Sequence, residues 1–310
     1  MKDNSWHTLR KETHKEIMNT DILCEILYHQ KGKVQAEACM KQVFLMLREF
    51  EQAFSRFRKD NELWNFNHSQ GGVLSQELFS ILSCAQYFHS MTDGLFDPSI
   101  LPLLENEGYT SKLYTPTGLT HQGNFSQLSL NNATLSVEKP PDLMIDLGGI
   151  GKGYIVDKVA AYLSLHFENF LIDAGGDIYV HGINKKEGYP YWAVEIEHPD
   201  TKNDPVGLLL LKDIAVATSG RNRRHWVQGN EIKHHIIDPR TAKSASSDFL
   251  SVTVIAASTI SADILAKTLF ISGKKDAPRL AEKFQIPAIF IETTGTITIN
   301  SYAQPYVWKN

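Results

Sequence analysis

The stretch that decides the fold is "DLMIDLGGIGKGYIVDKVAAYLSLHFENFLIDAGG", residues 142–176. It reads as a strand over 142–147, a glycine cluster, a helix over 154–166, and a second strand over 170–176 that ends in glycines. If helix and strand kept alternating, a doubly wound parallel sheet would follow. They do not. Residues 190–198, 206–218 and 231–237 come next as strands of an antiparallel sheet, with no helices between them. "FLSVTVIAAS" (249–258) is a buried strand that feeds a helix over 258–273. A helix near 275–285 and a strand over 288–293 complete the pattern. The expected class is therefore α+β, with mixed and antiparallel sheets and packed helices.

Upstream, residues 17–29 read as a strand with near-alternating apolar positions. Residues 34–57 read as a helix with Val43, Phe44, Leu47, Phe50, Phe54 and Phe57 on one face, and 72–90 as a second helix. Residues 54–67 leave the first helix into a polar turn. Turn residues surround Phe96 in "MTDGLFDPSILPLL" (91–104), and residues 105–140 are weakly patterned. No repeat or low-complexity linker interrupts the chain, so one continuous unit over 1–310 is expected.

The 310 residues are 42% hydrophobic and 21% charged, enough to bury a core. A net charge of −4 without a basic block argues against nucleic acid as the main partner. No apolar run reaches the roughly 18 residues that a membrane span requires, so no membrane insertion is expected. The start, "MKDNSWHTLRKETHKE", lacks the apolar segment of a signal peptide. Cys24, Cys39 and Cys84 are an odd number in apolar or helical settings, which reads as reduced thiols. Together these point to the cytoplasm.

Four stretches could carry chemistry. "DLGGIGKGYIVD" (146–157) is a glycine junction at a helix start, where free N–H groups suit an anion and glycines allow close approach. It is neither a Walker A loop nor a dinucleotide fingerprint: Gly153 follows Lys152 where Ser or Thr should stand, and position 154 is Tyr. Tight strand–helix packing explains the same glycines equally well. "IDAGGDIYVHG" (172–182) reads as a hairpin carrying Asp173 and Asp177. In "KHHIIDPRTAKSA" (233–245) the two histidines alternate across a strand, so at most one faces a given pocket, where it could act as a general base. Arg240, like Arg221, Arg223 and Arg224 of "VATSGRNRRHW" (216–226), is a surface arginine or a phosphate contact. In "STISADILAKTLFISG" (258–273), Asp263 and Lys267 lie one helical turn apart, either as a salt bridge or as an ion or phosphate site.

In order along the chain, these stretches resemble the ApbE family, the FAD:protein FMN transferases, once known as thiamine biosynthesis lipoproteins. "EIMNTDILCEI" is similar to the family's early Met-Gly-Thr strand, with Asn19 where glycine is usual. "FSRFRKDNELWNFN", "GLFDPSILPL", "DLGGIGKGYIVD", "AGGDIYVHG", "ATSG", "HHIIDPRT" and "SVTVIAASTISADILA" each resemble a family motif in register. The resemblance implies a single ApbE-like domain that binds FAD and a divalent metal ion, usually Mg²⁺. It also implies transfer of FMN to a threonine hydroxyl of an acceptor protein, with release of AMP. Flavin contacts would fall at Met18, Leu95, Phe96, Asp97, Asp146, Lys152 and Ile236. The metal would be held by the carbonyl near Gly149, by Asp263 and by the residue four positions on. His235, with Asp238 close by, would be catalytic, the histidine helping to deprotonate the acceptor hydroxyl. Phe96 or another aromatic could stack on the flavin ring.

The chain departs from the pattern at one of these positions above all. The residue four after Asp263 is Lys267, where the family keeps threonine. A protonated amine has three donors and no acceptor, so it cannot ligate Mg²⁺. Thr268 is rotated by about 100° around the helix and cannot substitute. "DPRTAKSA" also lacks the usual Gly and Pro after Thr241, and Arg221-Asn222-Arg223 replaces an acid and an aromatic. Besides an altered FMN transferase, two alternatives stand. One is a degenerate flavin-binding paralogue with Lys267 in the metal corner. The other is a pyrophosphatase that hydrolyses FAD to FMN and AMP.

Overall fold

Eight strands follow one another along the chain and lie side by side in the same order. They are β1 (Trp6–Ile17), β2 (Thr20–His29), β3 (Phe170–Ala174), β4 (Asp177–His181), β5 (Ile214–Gly220), β6 (Phe249–Ala256), β7 (Ala288–Glu292) and β8 (Ile297–Ile299). Every neighbouring pair is antiparallel. The computed structural model describes residues 5–110, 116–119, 122–201, 205–221, 224–229 and 231–308.

Long helices cover one face of the sheet: α1 (Lys33–Phe54), and later α5 (Gly151–Ser164) and α6 (Thr259–Lys283). Between α1 and α5 the chain adds the short α2 (Glu62–Asn67), then α3 (Gln76–Met91) and α4 (Leu101–Asn106). The apolar stripe of α1, including Val43, Phe44, Leu47 and Phe50, packs with Ile22, Cys24 and Ile26 of β2 and with Ile155 and Val159 of α5. A hairpin of Trp192–Glu197 and Pro205–Leu211 covers the other face, where Trp192, Val194 and Leu209 meet Val180, Val216, Leu250 and Ile289. Strand β6 is thus buried on both sides, which is why it reads as a continuous apolar run. The result is the expected α+β mixture of helices and antiparallel sheets. Among the described residues no helix is long and apolar enough to cross a membrane.

Three expectations need correction. The strand expected at 17–29 is the second half of a hairpin. Met18 and Asn19, both at positive φ, make its turn, and the polar segment before them is β1. β1 is an edge strand, so charged residues along it are tolerated and mask its period. The strand expected at 206–218 breaks at Asp213, at φ +52°, into two strands that belong to different sheets. The run 142–147 is extended but pairs with no strand. Instead the Asn67 carboxamide donates to the Ile145 carbonyl and accepts from its N–H, both at 2.9 Å. The Asp146 N–H donates to the Pro98 carbonyl at 2.8 Å. Lys139 donates to the Leu143 carbonyl at 2.9 Å. Side chains take the place of a neighbouring strand and so satisfy the buried backbone.

Helices α5 and α6 are joined at their ends. The Asp157 carboxylate of α5 accepts from the N–H groups of Thr259 (2.7 Å) and Ile260 (3.0 Å), which are otherwise unsatisfied at the α6 N-terminus. A Cβ added at Gly153 would lie 2.7 Å from Ile260 Cα, so only glycine permits this approach. The glycine junction therefore serves close packing at Gly153. Helix α6 is broken at Gly273, at φ +69°, into the two helical halves that the sequence pattern places there.

Candidate functional site

A cleft opens beside α4, between the start of α5 and the middle of α6. Its wall comes from segments far apart in sequence: Leu95–Pro98, Leu104 and Tyr109, Asp146 with Gly148–Gly149, Arg224 with His235–Ile237, and Lys267 with Ile271. Of the expected site residues, Leu95, Phe96, Asp97, Asp146, Gly149, His235, Ile236 and Lys267 line this one space. Met18, Lys152, Asp238 and Asp263 stand behind the wall and reach it through partners.

On the α5 side, Gly148 and Gly149 lead into the helix N-terminus. The Gly148 N–H donates to Asp146 Oδ2 at 2.9 Å, and Asp146 Oδ1 lies 3.1 Å from Arg56 Nε. Arg56 is buried, donates to the Tyr109 carbonyl at 2.7 Å, and lies over the Phe57 and Tyr109 rings. Asp97 Oδ1 accepts from the N–H and hydroxyl of Ser99, and Oδ2 lies 3.5 Å from His89. Both wall carboxylates thus have partners already. Phe96 is only 4% exposed, and a Cβ at Gly149 would lie 3.5 Å from its ring. The half-buried Tyr109 ring lies between the Trp226 ring, stacked at 5.1 Å, and the Arg56 guanidinium at 4.7 Å.

The hairpin of His225–Gln228 and Glu231–His234 presents Arg224 and His235, at its base, to the facing wall. Arg224, just before it, donates to the Tyr109 hydroxyl (3.1 Å) and to the Met18 carbonyl (3.2 Å), which ties the β1–β2 turn to the cleft. His234 and His235 part as alternation requires. His234 is buried, with Nε2 2.9 Å from the Ala245 carbonyl, and has a structural part. His235 faces the cleft, with Nδ1 3.3 Å from the Arg224 carbonyl. Burial first, then the charges of Arg224 and Lys267, holds its pKa well below the usual imidazole value, so the ring is a neutral base at pH 7. Asp238 is turned away. Both of its oxygens are bound by Arg240, which also donates to the Ile271 carbonyl, so the pair fixes the turn after His235. Arg223 lies outside the described residues.

Behind the cleft lies a corner of four charges. Lys267 Nζ donates to Asp263 Oδ1 at 2.9 Å and to the Gly149 carbonyl at 3.2 Å. Lys152 pairs with Asp177 of β4. Asp177 and Asp263 are both buried. Burial, and then repulsion from Asp263, pushes the Asp177 pKa up, while Lys152 pulls it down. In the sequence, Asp177 belongs to an expected hairpin. That hairpin is present, as β3–β4, but it also delivers the acid to this corner. Arg56 and Tyr109 were likewise missed, because their partners lie about fifty residues or more away. Arg56 sits inside the quoted stretch 54–67, which was the one available signal.

The ApbE family profile matches residues 18–290 of this chain. An FAD:protein FMN transferase of Vibrio cholerae is 31% identical over 278 residues, covering 86% of this chain and 82% of that protein. One of Klebsiella pneumoniae is 27% identical over 301 residues, covering 92% and 90%. Among solved structures, the ApbE protein of Thermotoga maritima matches with a TM-score of 0.83 at 26% identity, covering 98% of this chain and all of that one. The flavin transferase ApbE from Vibrio cholerae matches with a TM-score of 0.81 at 26% identity, covering 97% and 99%.

Proposed function

The chain belongs to the ApbE family, and from that membership we propose that it is an FAD:protein FMN transferase. It moves the FMN part of FAD to a threonine hydroxyl of an acceptor protein and releases AMP. The observation that carries this reading is the meeting in one cleft of a neutral His235, the Gly148–Gly149 helix start, and the cations Arg224 and Lys267.

The roles follow from the geometry. The positive end of the α5 dipole suits the diphosphate, although the N–H groups of Gly148, Ile150 and Gly151 already donate to Asp146 and Leu147. Arg224 adds a charged donor beside it. Leu95, Phe96 and Ile236 supply apolar surface for the flavin. His235 takes the proton as the threonine oxygen attacks the phosphorus on the FMN side. The bond between that phosphorus and the bridging oxygen breaks, and AMP leaves with the oxygen. Met18 and Asp238 then act by positioning, through Arg224 and Arg240. The cytoplasmic setting belongs to the same reading and is supported by three free cysteines, two of them buried.

Magnesium does not fit the corner as it stands. Its expected oxygen ligands, Asp263 Oδ1 and the Gly149 carbonyl, are both bonded to the Lys267 ammonium. An ion with oxygen ligands at about 2.0–2.1 Å would have to displace that amine.

The test is to incubate the protein with FAD and an acceptor domain carrying the target threonine, following covalent flavin fluorescence and AMP. Adduct and AMP in equal amounts support the transferase. AMP without adduct would mean hydrolysis to FMN and AMP. Bound FAD with neither product would mean a flavin-binding paralogue.

A further inference from the structure

Lys267 is the one member of the four-charge corner that lines the cleft. Its two bonds, to Asp263 Oδ1 and the Gly149 carbonyl, use two of the three donors of an ammonium. One donor remains. The Lys267 side chain is 13% exposed, so its surroundings are largely dry and its charge is weakly screened. The other cations nearby are less available. Arg56 is committed to Asp146, and Lys152 to Asp177. Arg224 already donates to the Tyr109 hydroxyl and the Met18 carbonyl. The wall carboxylates of Asp97 and Asp146 are occupied by Ser99, His89, Gly148 and Arg56.

The acids of the corner explain why the amine stays put. Asp177 and Asp263 are buried close enough to repel each other, and the two lysines balance them. Asp263 Oδ2 is buried and accepts no hydrogen bond. Removing the Lys267 amine would leave that carboxylate with neither oxygen paired, a costly state that a bound cation would relieve.

We propose that Lys267 is a built-in cation: its ammonium stands in for a divalent metal ion and gives its remaining hydrogen to a non-bridging oxygen of the FAD diphosphate, so that FAD binds and is cleaved without added metal. This rests on the transferase reading for the cleavage step, though not for binding. In that step the threonine oxygen forms the new bond to phosphorus, its proton passes to His235, and AMP departs with the electron pair of the broken P–O bond. Lys267 neutralises charge on the diphosphate and exchanges no proton.

The experiment uses the full chain and Lys267→Thr, with circular dichroism to confirm that both are folded. Magnesium chloride alone is first titrated into each by calorimetry. The wild type is expected to bind no Mg²⁺, and Lys267→Thr to bind one. FAD affinity is then measured in EDTA and in Mg²⁺. The wild type should be equal in both, whereas Lys267→Thr should weaken about tenfold to a hundredfold in EDTA, the scale of one lost hydrogen bond to a charged group, and recover with Mg²⁺. Should Lys267→Thr not fold, Lys267→Arg replaces it: retained metal-free FAD binding supports the role of the charge, and loss of it overturns the proposal. Mg²⁺ bound by the wild type, or FAD affinity that falls in EDTA, also overturns it. AMP release and adduct formation are read in the same samples. If neither appears while FAD binding stays metal-independent, the transferase reading fails and the cation assignment stands.

Discussion

At the scale of single residues, burial and neighbouring charge set what each group can do. His235 is held neutral by its surroundings, so the acid limb of the transfer rate should lie below the ordinary imidazole value of about 6.5. A lowered pKa keeps the base form in the majority as pH falls, until the lowered value is passed. His235→Asn should cut AMP release by about 10²–10⁴-fold and leave FAD binding in place, measured by initial rates and by flavin fluorescence titration. Lys139 is a second perturbed group, outside the cleft. Burial drives its pKa from 10.5 to about 8. Between those values the unfolded chain binds the proton and the folded one does not, so this group adds stability as pH rises from about 8 towards 10.5. Urea midpoints at pH 8 and pH 10 should therefore move less favourably with pH in Lys139→Met than in the wild type. These residue properties were only partly legible. The alternation of His234 and His235 follows from strand geometry and can be read directly. The pairing of Lys152 with Asp177 cannot, because a hairpin and a helix start bring them together and neither marks the other.

At the scale of elements, strong periodicity was readable and borrowed structure was not. Helix α1 and strand β6 stand close to where their apolar patterns place them, since each buries a stripe or both faces. The run 142–147 looks like a strand because it is apolar, yet the Asn67 side chain supplies its hydrogen bonds, and no local pattern records that. The joint between α5 and α6 gives a sharp prediction. In Gly153→Ala the new methyl would meet backbone atoms of Thr259 and Ile260, which cannot rotate away. The helices must separate, at about 1–3 kcal/mol, read as a lower urea midpoint with an unchanged m-value. FAD affinity should fall with it, since Gly149 and Lys267 sit on the two elements that part.

At the scale of the molecule, the sheet is a plain meander and the cleft is not local at all. Its wall is gathered from residues 95 to 271, so it exists only when the chain is folded. FAD must then stabilise the whole fold by mass action. At one hundred times its dissociation constant the gain is about 2.7 kcal/mol, worth roughly 5 °C in melting temperature for a domain of this size. Melts followed by circular dichroism should show that rise in EDTA as well as in Mg²⁺. A rise in Mg²⁺ alone would contradict the metal-free site.

The two hydrogen bonds from Asp157 to the start of α6 have a mechanical consequence. They fix the pitch and stagger of α5 against α6, and with them the spacing of Gly149 from Asp263 and Lys267. That side of the cleft is an anvil. The opposite side is a two-stranded hairpin seated on the body by the Trp226 indole, which stacks on Tyr109 and donates to the Glu107 carbonyl at 2.7 Å, with Val227 and Ile232 facing outward. Gln228 and Lys233 add ties to Asn106 and Glu107, so the position of this thinner jaw, and of Arg224 and His235 at its base, is set by the segment that follows α4.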